Sequence, residues 1–445
     1  MNLSPEQDLA LQKFKEGKNI FLTGPGGSGK TALIKEMVNY GQEQKKKIQV
    51  CALTGCAAIL LECKAKTVHS FAGIGLANGT IDEVVRRVIS NKYKVKNWVG
   101  IDILIIDEVS MMSSKLFDIL NYTAKRARKR NDVPFGGIQV IFSGDFYQLP
   151  PVGTHGEKDT SAFCFESELW NKTFDETICL KTIFRQTDTD YTTILNQIRV
   201  GKLYKSAYEK LQEHINKPPP TDLKSSASFK PTILLPRRKD AELINMTELE
   251  KLQGESKKYC VSPAADIPLS EKVKQVLKTT SLEQKEMEYN FLVNNIMADK
   301  EIVIKIGTQV MCIANIDMES DQQIVNGSQG VVVGFVGELP LVQFNKGPRR
   351  TVGYHVWASE NIPDVGVKQM PLIYAWAITI HKSQGVSLDM AQVDVGNNIF
   401  ESGQTYVALS RVKSLNGLYL TDLNPQKIKV DKKVQNFYTT LNKLF

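Results

Sequence analysis

The residues with the most distinctive chemistry in this chain run from Gly24 to Thr31 and read Gly-Pro-Gly-Gly-Ser-Gly-Lys-Thr. They match the phosphate-binding pattern G-x-x-x-x-G-K-[ST] at every fixed position. In such a loop, glycines let backbone N–H groups turn inward around a phosphate, Lys30 reaches the terminal phosphates and Thr31 offers its hydroxyl to Mg²⁺. A glycine-rich turn before a helix is the alternative. The pattern predicts a nucleoside triphosphate site formed by Gly24, Pro25, Gly26, Gly27, Ser28, Gly29, Lys30 and Thr31.

A pair of carboxylates follows an apolar stretch, residues 101–106, that is typical of a buried parallel strand. Acidic residues at the carboxyl end of such a strand lie at the ligand-binding edge of an open α/β sheet. We therefore expect Asp107 to hold Mg²⁺, mostly through water, and Glu108 to orient and deprotonate the attacking water. The alternative is a helix N-terminus with an acidic first turn.

Three further polar residues have a chemistry that suits phosphate transfer. Gln148 follows an apolar strand pattern, and its amide could sense the γ-phosphate and carry its loss into the next loop. Arg185 and Arg411 lie in the second half of the chain, and two arginines that face a phosphate loop across a cleft would neutralise transition-state charge. Surface ion pairs are the alternative for either arginine.

The elements that must position these residues alternate between strand and helix from residue 1 to 178. Strands are expected at 19–23, 48–53, 101–106 and 138–143, and helices near 5–16, 30–44, 82–90 and 113–130. This alternation predicts a parallel sheet that is covered on both faces.

A second α/β pattern begins near Thr182, has a strand at Thr232–Leu235 and resumes only at Leu372–Ala377. Between these segments, residues 253–300 are polar and residues 301–357 show short alternating runs. The strand candidates there, Ile302–Ile313, Gly330–Val336 and Leu341–Phe344, predict a small antiparallel barrel inserted into the second α/β region.

Composition places the chain among ordinary globular proteins of more than one domain, since it has 445 residues with 42% hydrophobic and 23% charged residues. It has no long uncharged apolar run, and its N-terminus lacks the features of a signal or transit peptide. Seven cysteines without a C-x-x-C pair indicate reduced thiols inside a cell. The net charge is +8, and basic clusters at 45–47, 125–130, 237–239 and 349–350 favour a polyanionic partner.

Several ordered motifs resemble those of the PIF-type (petite integration frequency) DNA helicases, superfamily 1B motors related to RecD. The segments that carry the resemblance are 54–58, 67–75, 134–139, 144–152, 380–385 and 403–411. The match runs from Leu3 to about Asp422 in the family's order. Residues 59–66 depart from the family, because many relatives have a glycine-rich link there.

The resemblance implies an α/β fold of two RecA-like P-loop NTPase domains with a small wedge element and an SH3-like β-barrel insertion in the second. The first motor domain is expected at 1–178, with the wedge near 70–98. The second is expected at 179–445 and interrupted at about 245–365 by the insertion, whose barrel lies near 301–357.

The resemblance also implies an ATP-dependent helicase that moves 5′-to-3′ on single-stranded DNA and separates duplexes or other DNA structures. The expected processes are replication, repair, recombination or genome and telomere maintenance. Its cofactors would be ATP and Mg²⁺, and its partners single-stranded DNA and tailed or forked duplexes, with no membrane. It would work as a monomer inside the cell, in the nucleus or another DNA-replication compartment.

By motif match, Gln7 is expected to contact adenine, whereas Thr54, His69, Thr379 and His381 are expected to touch the DNA strand. Ser383, Gln384 and Gly385 would couple the strand to the nucleotide. Base stacking is a further expectation, with core packing as the alternative for each ring, at Phe71, Tyr147, Trp357 and Tyr406.

Two other classes stay open on the sequence. A nucleotide-switched binding module would be expected to lack Gln148, Arg185 or Arg411, and this chain has all three. An RNA helicase is not distinguished, because no residue in the motifs points to recognition of a 2′-hydroxyl.

Overall fold

The computed structural model describes residues 3–442 apart from 62, 76, 155, 187, 219–229, 265–266, 268–279, 317–323, 346–348, 360–361, 363, 381 and 384–385. The calls for His381, Gln384 and Gly385 therefore lie outside the described residues. Two parallel sheets, one in each half of the chain, carry the α/β architecture, and the antiparallel sheets are inserted in sequence between the first and second strands of the second parallel sheet.

The first sheet has six parallel strands in the order β3-β2-β4-β5-β1-β6. Its strands are β1 (Ile20–Thr23), β2 (Ile48–Ala52), β3 (Lys66–Thr67), β4 (Ile103–Asp107), β5 (Gln139–Ser143) and β6 (Glu176–Cys179). The helices of this part are α1 (Pro5–Lys15), α2 (Lys30–Glu43), α3 (Gly55–Leu60), α4 (Val68–Ala72), α5 (Ile81–Ile89), α6 (Lys92–Val99), α7 (Ser114–Arg128) and α8 (Trp170–Thr173).

Alternate residues of each central strand face two different cores, as the side-chain period of a strand requires. On β4, Ile103 and Ile105 pack in one core and Leu104 and Ile106 in the other. The expected sheet with both faces covered is therefore confirmed.

The rest of the chain contains further helices and strands. The helices are α9 (Thr189–Arg199), α10 (Lys205–Gln212), α11 (Arg238–Lys251), α12 (Leu282–Asn295), α13 (Gln404–Leu409) and α14 (Lys432–Asn442). The strands are β7 (Thr232–Leu235), β8 (Ser256–Cys260), β9 (Ser262–Pro263), β10 (Glu301–Lys305), β11 (Gln309–Cys312), β12 (Gln329–Val336), β13 (Leu339–Phe344), β14 (Arg349–Thr351), β15 (His355–Ala358), β16 (Gly366–Gln369), β17 (Leu372–Tyr374), β18 (Ala377–Thr379), β19 (Ala391–Val395) and β20 (Leu418–Leu423).

The second parallel sheet has the order β18-β7-β19-β20. The antiparallel sheets are built from strands β8–β17, and the largest of them has the order β14-β13-β12-β11-β17. The assignment of Leu372–Tyr374 to the second α/β sheet is wrong, because β17 pairs antiparallel with β11. These inserted strands thus continue past the boundary expected near 365, and only β18 returns to the parallel sheet.

Helices α5 and α6 form the small element expected as a wedge near residues 70–98. Both helices pack beside α7, and the fully buried Trp98 of α6 lies 4.9 Å from Phe71 between ring centroids. Its indole N–H donates to the Ala72 carbonyl at 3.4 Å. Trp98 thus anchors α6 in the first domain's core, to which α5 adds the buried Val84 and Val88.

We expect Trp98→Ala to lower the unfolding free energy of the first domain by about 3–5 kcal/mol, because a large buried ring leaves a cavity. Urea unfolding followed by circular dichroism measures the loss. Tyr93→Ala on the same helix is the control, since this ring is 80% exposed and its removal should change stability by no more than about 0.5 kcal/mol. Equal effects of the two substitutions would contradict the anchoring role of Trp98.

Candidate nucleotide and strand-binding site

The loop between β1 and α2 carries the phosphate-binding residues. Gly29 caps α2 in the left-handed region with φ 80°, which favours glycine, and Lys30 starts the helix. The Lys30 ammonium donates to the Gly24 and Pro25 carbonyls at 2.7 and 3.0 Å, so its side chain folds back over the loop. The motif therefore has the strand, loop and helix context that its chemistry requires.

The two carboxylates lie at the carboxyl end of β4, as expected. Asp107 is its last residue, and Glu108 follows with φ 58° and ψ 37°, an unusual backbone for a non-glycine residue that is often found at functional sites. Burial raises the pKa of Glu108 to about 6, and the charge of Asp107 acts in the same direction. Burial also raises the pKa of Asp107, against the effects of Lys30 and the nearby Thr31 hydroxyl.

Two arginines from the second half of the chain reach the phosphate loop. A Cβ atom built on Gly26 would lie 3.5 Å from Nη2 of Arg411, and one built on Gly27 would lie 2.5 Å from Cβ of Arg185. Arg411 is 3% exposed and donates to the Val407 carbonyl at 2.9 Å. Burial lowers the pKa of Arg411 to about 9, with a further contribution from the charge of Arg185. The structure thus brings both arginines to the loop, and surface ion pairs do not describe them.

Gln148 ends a tight turn that follows β5. Its backbone N–H donates to the Asp145 carbonyl at 2.8 Å, and the side chain is buried. A Cβ atom on Gly403 would lie 2.5 Å from the Gln148 carbonyl oxygen, so the turn contacts the start of α13. The turn therefore touches the element of the second half that leads to Arg411.

Gln7 lies against the other side of the phosphate loop. Its side chain is buried, and Nε2 donates to the Ser28 and Gly29 carbonyls at 3.5 and 3.4 Å. Its Oε1 accepts from the Ser4 N–H at 2.9 Å and completes a capping box at the start of α1. This box fixes the amide at the loop.

The candidate DNA residues of the first domain lie side by side at the carboxyl edge of its sheet. Ala52 of β2 pairs with Thr67 of β3, and Thr54 and His69 each follow two residues later. Thr54 is exposed, whereas His69 is half-buried and burial lowers its pKa. A neutral imidazole at pH 7 is thereby favoured.

Thr379 ends β18 at the corresponding edge of the second sheet, and its Oγ1 accepts from the Lys382 N–H at 3.1 Å. Ser383 is buried and donates to the Ile380 carbonyl at 2.7 Å. The Ser383 hydroxyl thus holds the turn that follows β18. Its coupling role stays a prediction.

Burial in the structure favours core packing, the alternative to base stacking, for all four aromatic side chains. Phe71, Tyr147, Trp357 and Tyr406 are each less than 10% exposed. Phe71 packs in the core against Trp98. The Tyr406 hydroxyl accepts the Gly26 N–H at 2.8 Å, so this residue belongs to the phosphate loop and not to a DNA-binding face.

Two neighbours of Arg185 are site residues that the sequence analysis did not single out. The Phe184 ring is 53% exposed and approaches within 3.4 Å of a Cβ built on Gly29. Gln186 donates to the Ser410 and Val412 carbonyls at 3.1 and 3.3 Å. The signal available in the sequence was the run Phe184-Arg185-Gln186, in which an exposed ring and an amide flank the arginine.

The residues around the loop fit a nucleoside triphosphate with Mg²⁺. Ser28 Oγ is buried and has no hydrogen-bond partner among the described residues. Three cationic side chains, Lys30, Arg185 and Arg411, converge on the loop, and the carboxylate and hydroxyl oxygens nearby are the ligands that Mg²⁺ prefers. This donor set suits a polyphosphate anion with a hard cation.

Comparison with known proteins gives the same picture. Residues 2–207 match the family model "PIF1-like helicase" and residues 289–335 match "DNA helicase Pif1, 2B domain". The chain is 34% identical to ATP-dependent DNA helicase PIF1 of Xenopus laevis, across 100% of this chain and 65% of that protein. It is also 34% identical to ATP-dependent DNA helicase Pif1 of Bdellovibrio bacteriovorus, across 98% of this chain and 92% of the relative.

Solved structures of Pif1 from Bacteroides are similar in fold. The complex with ADP-AlF4 superposes with a TM-score of 0.79 at 27% identity, covering 100% of this chain and 98% of that one. The complex with ADP-AlF3 and single-stranded DNA gives 0.63 at 26% identity with the same coverage. The architecture is therefore that of two RecA-like domains with a 2B domain, and the chain belongs to the family of PIF1-like helicases.

Proposed function

We propose that this chain is an ATP-dependent DNA helicase that moves 5′-to-3′ on single-stranded DNA and separates the strands of tailed or forked duplexes. The observation that carries the proposal is the convergence of Lys30, Asp107 and Glu108 from the first sheet with Arg185 and Arg411 at one phosphate loop. The relatives named ATP-dependent DNA helicase, which this chain matches along nearly its whole length, support the choice of DNA as the polymer.

Each residue of the site has a distinct task in ATP hydrolysis. Lys30 and the loop N–H groups hold the phosphates, and Thr31 and Asp107 would hold Mg²⁺, which would supply charge neutralisation at the phosphates. Glu108, with its pKa raised to about 6, accepts a proton from the attacking water. Gln148 contacts the γ-phosphate, and when that phosphate leaves, the turn that Gln148 ends would move against α13.

The exposed Phe184 ring and the Gln7 amide flank the outer side of the loop, where the base of the nucleotide would lie. We assign adenine contact to both, with the ring stacking on the base and the amide bonding to its edge.

The DNA strand would cross the carboxyl edges of both sheets. Thr54 and His69 grip it from the first domain, and Thr379 and His381 from the second. Because the arginines join the second domain to the nucleotide, the two domains would close when ATP binds and open after hydrolysis. The first and the second domain would then hold the strand in turn, and Ser383, Gln384 and Gly385 would couple the strand to the nucleotide.

We propose that the protein works as a monomer in the nucleus or another DNA-replication compartment. A rate of unwinding proportional to protein concentration would support the monomer.

Glu108→Gln should bind an ATP analogue normally and lose DNA-stimulated hydrolysis, because an amide cannot accept the proton from water. Lys30→Ala is the matched comparison, since it removes the charge that holds the phosphates and should lose hydrolysis as well as analogue binding. Phosphate release and fluorescent-analogue titration measure the two quantities. Near-normal hydrolysis by Glu108→Gln would refute its role as base.

Arg185→Ala and Arg411→Ala should each lower kcat by roughly a thousandfold or more, the size of effect typical of arginines that stabilise the transition state of phosphoryl transfer. Analogue affinity should fall far less, because the charge they stabilise develops mainly during the reaction. Lys413→Ala is the control, since this nearby side chain pairs with Asp389 at 3.1 Å away from the loop. An arginine whose loss lowers affinity and kcat equally would be structural.

A duplex with a 5′ single-stranded tail should be unwound, and one with a 3′ tail should stay intact. The family's motif order is the basis of this direction. Strand displacement on the two substrates, each also offered with an RNA tail, measures polarity and the choice of polymer together. Affinity for the DNA tail should fall steeply with salt, because phosphate contacts release counterions. Displacement from the 3′ tail alone would contradict the proposed direction.

A further inference from the structure

The C-terminal helix α14 follows the last strand of the second sheet, yet it packs against the first domain. Val434 and Tyr438 are buried, and the Phe437 ring lies 4.4 Å from Phe165 and 5.4 Å from Phe146 between centroids. The two matching family models cover residues 2–207 and 289–335, so neither includes this helix. The chain therefore returns to the first domain through a segment with no assigned role.

The Tyr438 hydroxyl joins two parts of the nucleotide site. It lies 2.7 Å from Oγ1 of Thr23, the last residue of β1 before Gly24. It also accepts the Phe146 N–H at 3.2 Å and donates to Oδ1 of Asp145 at 3.4 Å. Burial raises the pKa of Tyr438, so the phenol keeps its proton and can act as a donor.

Asp145 organises the turn that carries Gln148. Its Oδ1 accepts the Tyr147 N–H at 3.2 Å, and its backbone carbonyl accepts the Gln148 N–H at 2.8 Å. The carboxylate also makes a two-point ion pair with Arg199, at 2.9 Å to Nε and 2.8 Å to Nη2. This side chain is therefore fixed by groups from α9 and α14 as well as by its own turn.

Aromatic stacking adds to the same cluster. The Tyr438 and Tyr147 rings are parallel, with centroids 4.5 Å apart and an interplanar angle of 11°. The Arg199 guanidinium lies 4.6 Å from the Tyr147 centroid. A shift of the Tyr438 ring would therefore displace the Tyr147 ring, which precedes Gln148 in the chain.

We propose that α14 is a positioning element of the nucleotide site, in which the Tyr438 hydroxyl holds the Asp145–Gln148 turn against the strand that leads into the phosphate loop. The inference rests on the proposed ATP-driven function. Tyr438 touches neither nucleotide nor DNA in this role. It acts on Gln148 through Asp145 and on the phosphate loop through Thr23. The distance between the Gln148 side chain and the bound phosphates is thereby kept constant.

Tyr438→Phe tests the role because it removes one hydroxyl and keeps the stacked ring. The kcat of ATP hydrolysis with saturating single-stranded DNA should fall by about tenfold, the effect of a lost buried hydrogen bond on the barrier. The rate is divided by the amount of protein that binds a fluorescent ATP analogue, so inactive protein does not count. The KM for ATP should stay within about twofold, since the phosphate-holding groups remain.

Thr439→Ala is the matched control on the same helix. Among the described residues, its exposed hydroxyl bonds only to the Gln435 carbonyl, and its loss should leave kcat and KM unchanged. Thr23→Val removes the same contact from the strand side and should reproduce the effect of Tyr438→Phe, which decides the matter if the latter does not fold.

A normal kcat in both Tyr438→Phe and Thr23→Val would overturn the positioning role, as would a fall of analogue binding in step with kcat. If the unaltered chain fails to hydrolyse ATP with DNA, the proposed function itself falls and the positioning role with it. If the unaltered chain hydrolyses ATP and both variants do so at the same rate, only the proposed role of α14 is refuted.

Discussion

The accumulation of positive charge at the phosphate loop is the constraint on which the rest of the site depends. Lys30, Arg185 and Arg411 converge there, and burial with the charge of Arg185 lowers the pKa of Arg411 to about 9. Like charges in a poorly solvated place repel strongly unless an anion lies between them. A polyphosphate meets this need, so under the proposed function a bound nucleotide would bridge the two domains at the loop.

Sheet topology explains why so few strands carry the whole site. The order β4-β5-β1 makes neighbours of the strands that end at Asp107, before Gln148 and before Gly24. Carboxyl ends of parallel strands meet at one edge, so residues as far apart in sequence as Gly24 and Gln148 share one site. The adjoining strands β2 and β3 end two residues before Thr54 and His69 at the same edge. The candidate nucleotide-binding residues of these strands therefore lie at or just after the ends of β4, β5 and β1, whereas the candidate DNA-binding residues of the first domain follow β2 and β3 at the same edge of the sheet.

The nucleotide half of the site could be predicted from the sequence because its residues are tied to local patterns. The loop motif, the strand before Asp107 and the helix after Lys30 are all short-range signals. Burial is a tertiary property, so the sequence left base stacking and core packing both open for Phe71 and Tyr406, which the structure buries. The three-residue strand Leu372–Tyr374 fits either sheet in sequence, and only its pairing with β11 decides. Helix α14 lies beyond the motifs, and its contacts with Thr23 span 415 positions.

The two arginines act as one body because the segments that carry them are bonded to each other. Gln186 donates to the carbonyls of Ser410 and Val412, on either side of Arg411, and Arg185 itself donates to the Ser410 carbonyl at 3.4 Å. The Tyr191 hydroxyl of α9 adds a bond of 2.7 Å to the Leu409 carbonyl. Arg185 and Arg411 therefore cannot approach the phosphates independently. Under the proposed function, a single closing movement of the second domain would bring both charges to the loop, and the loss of one phosphate would release both.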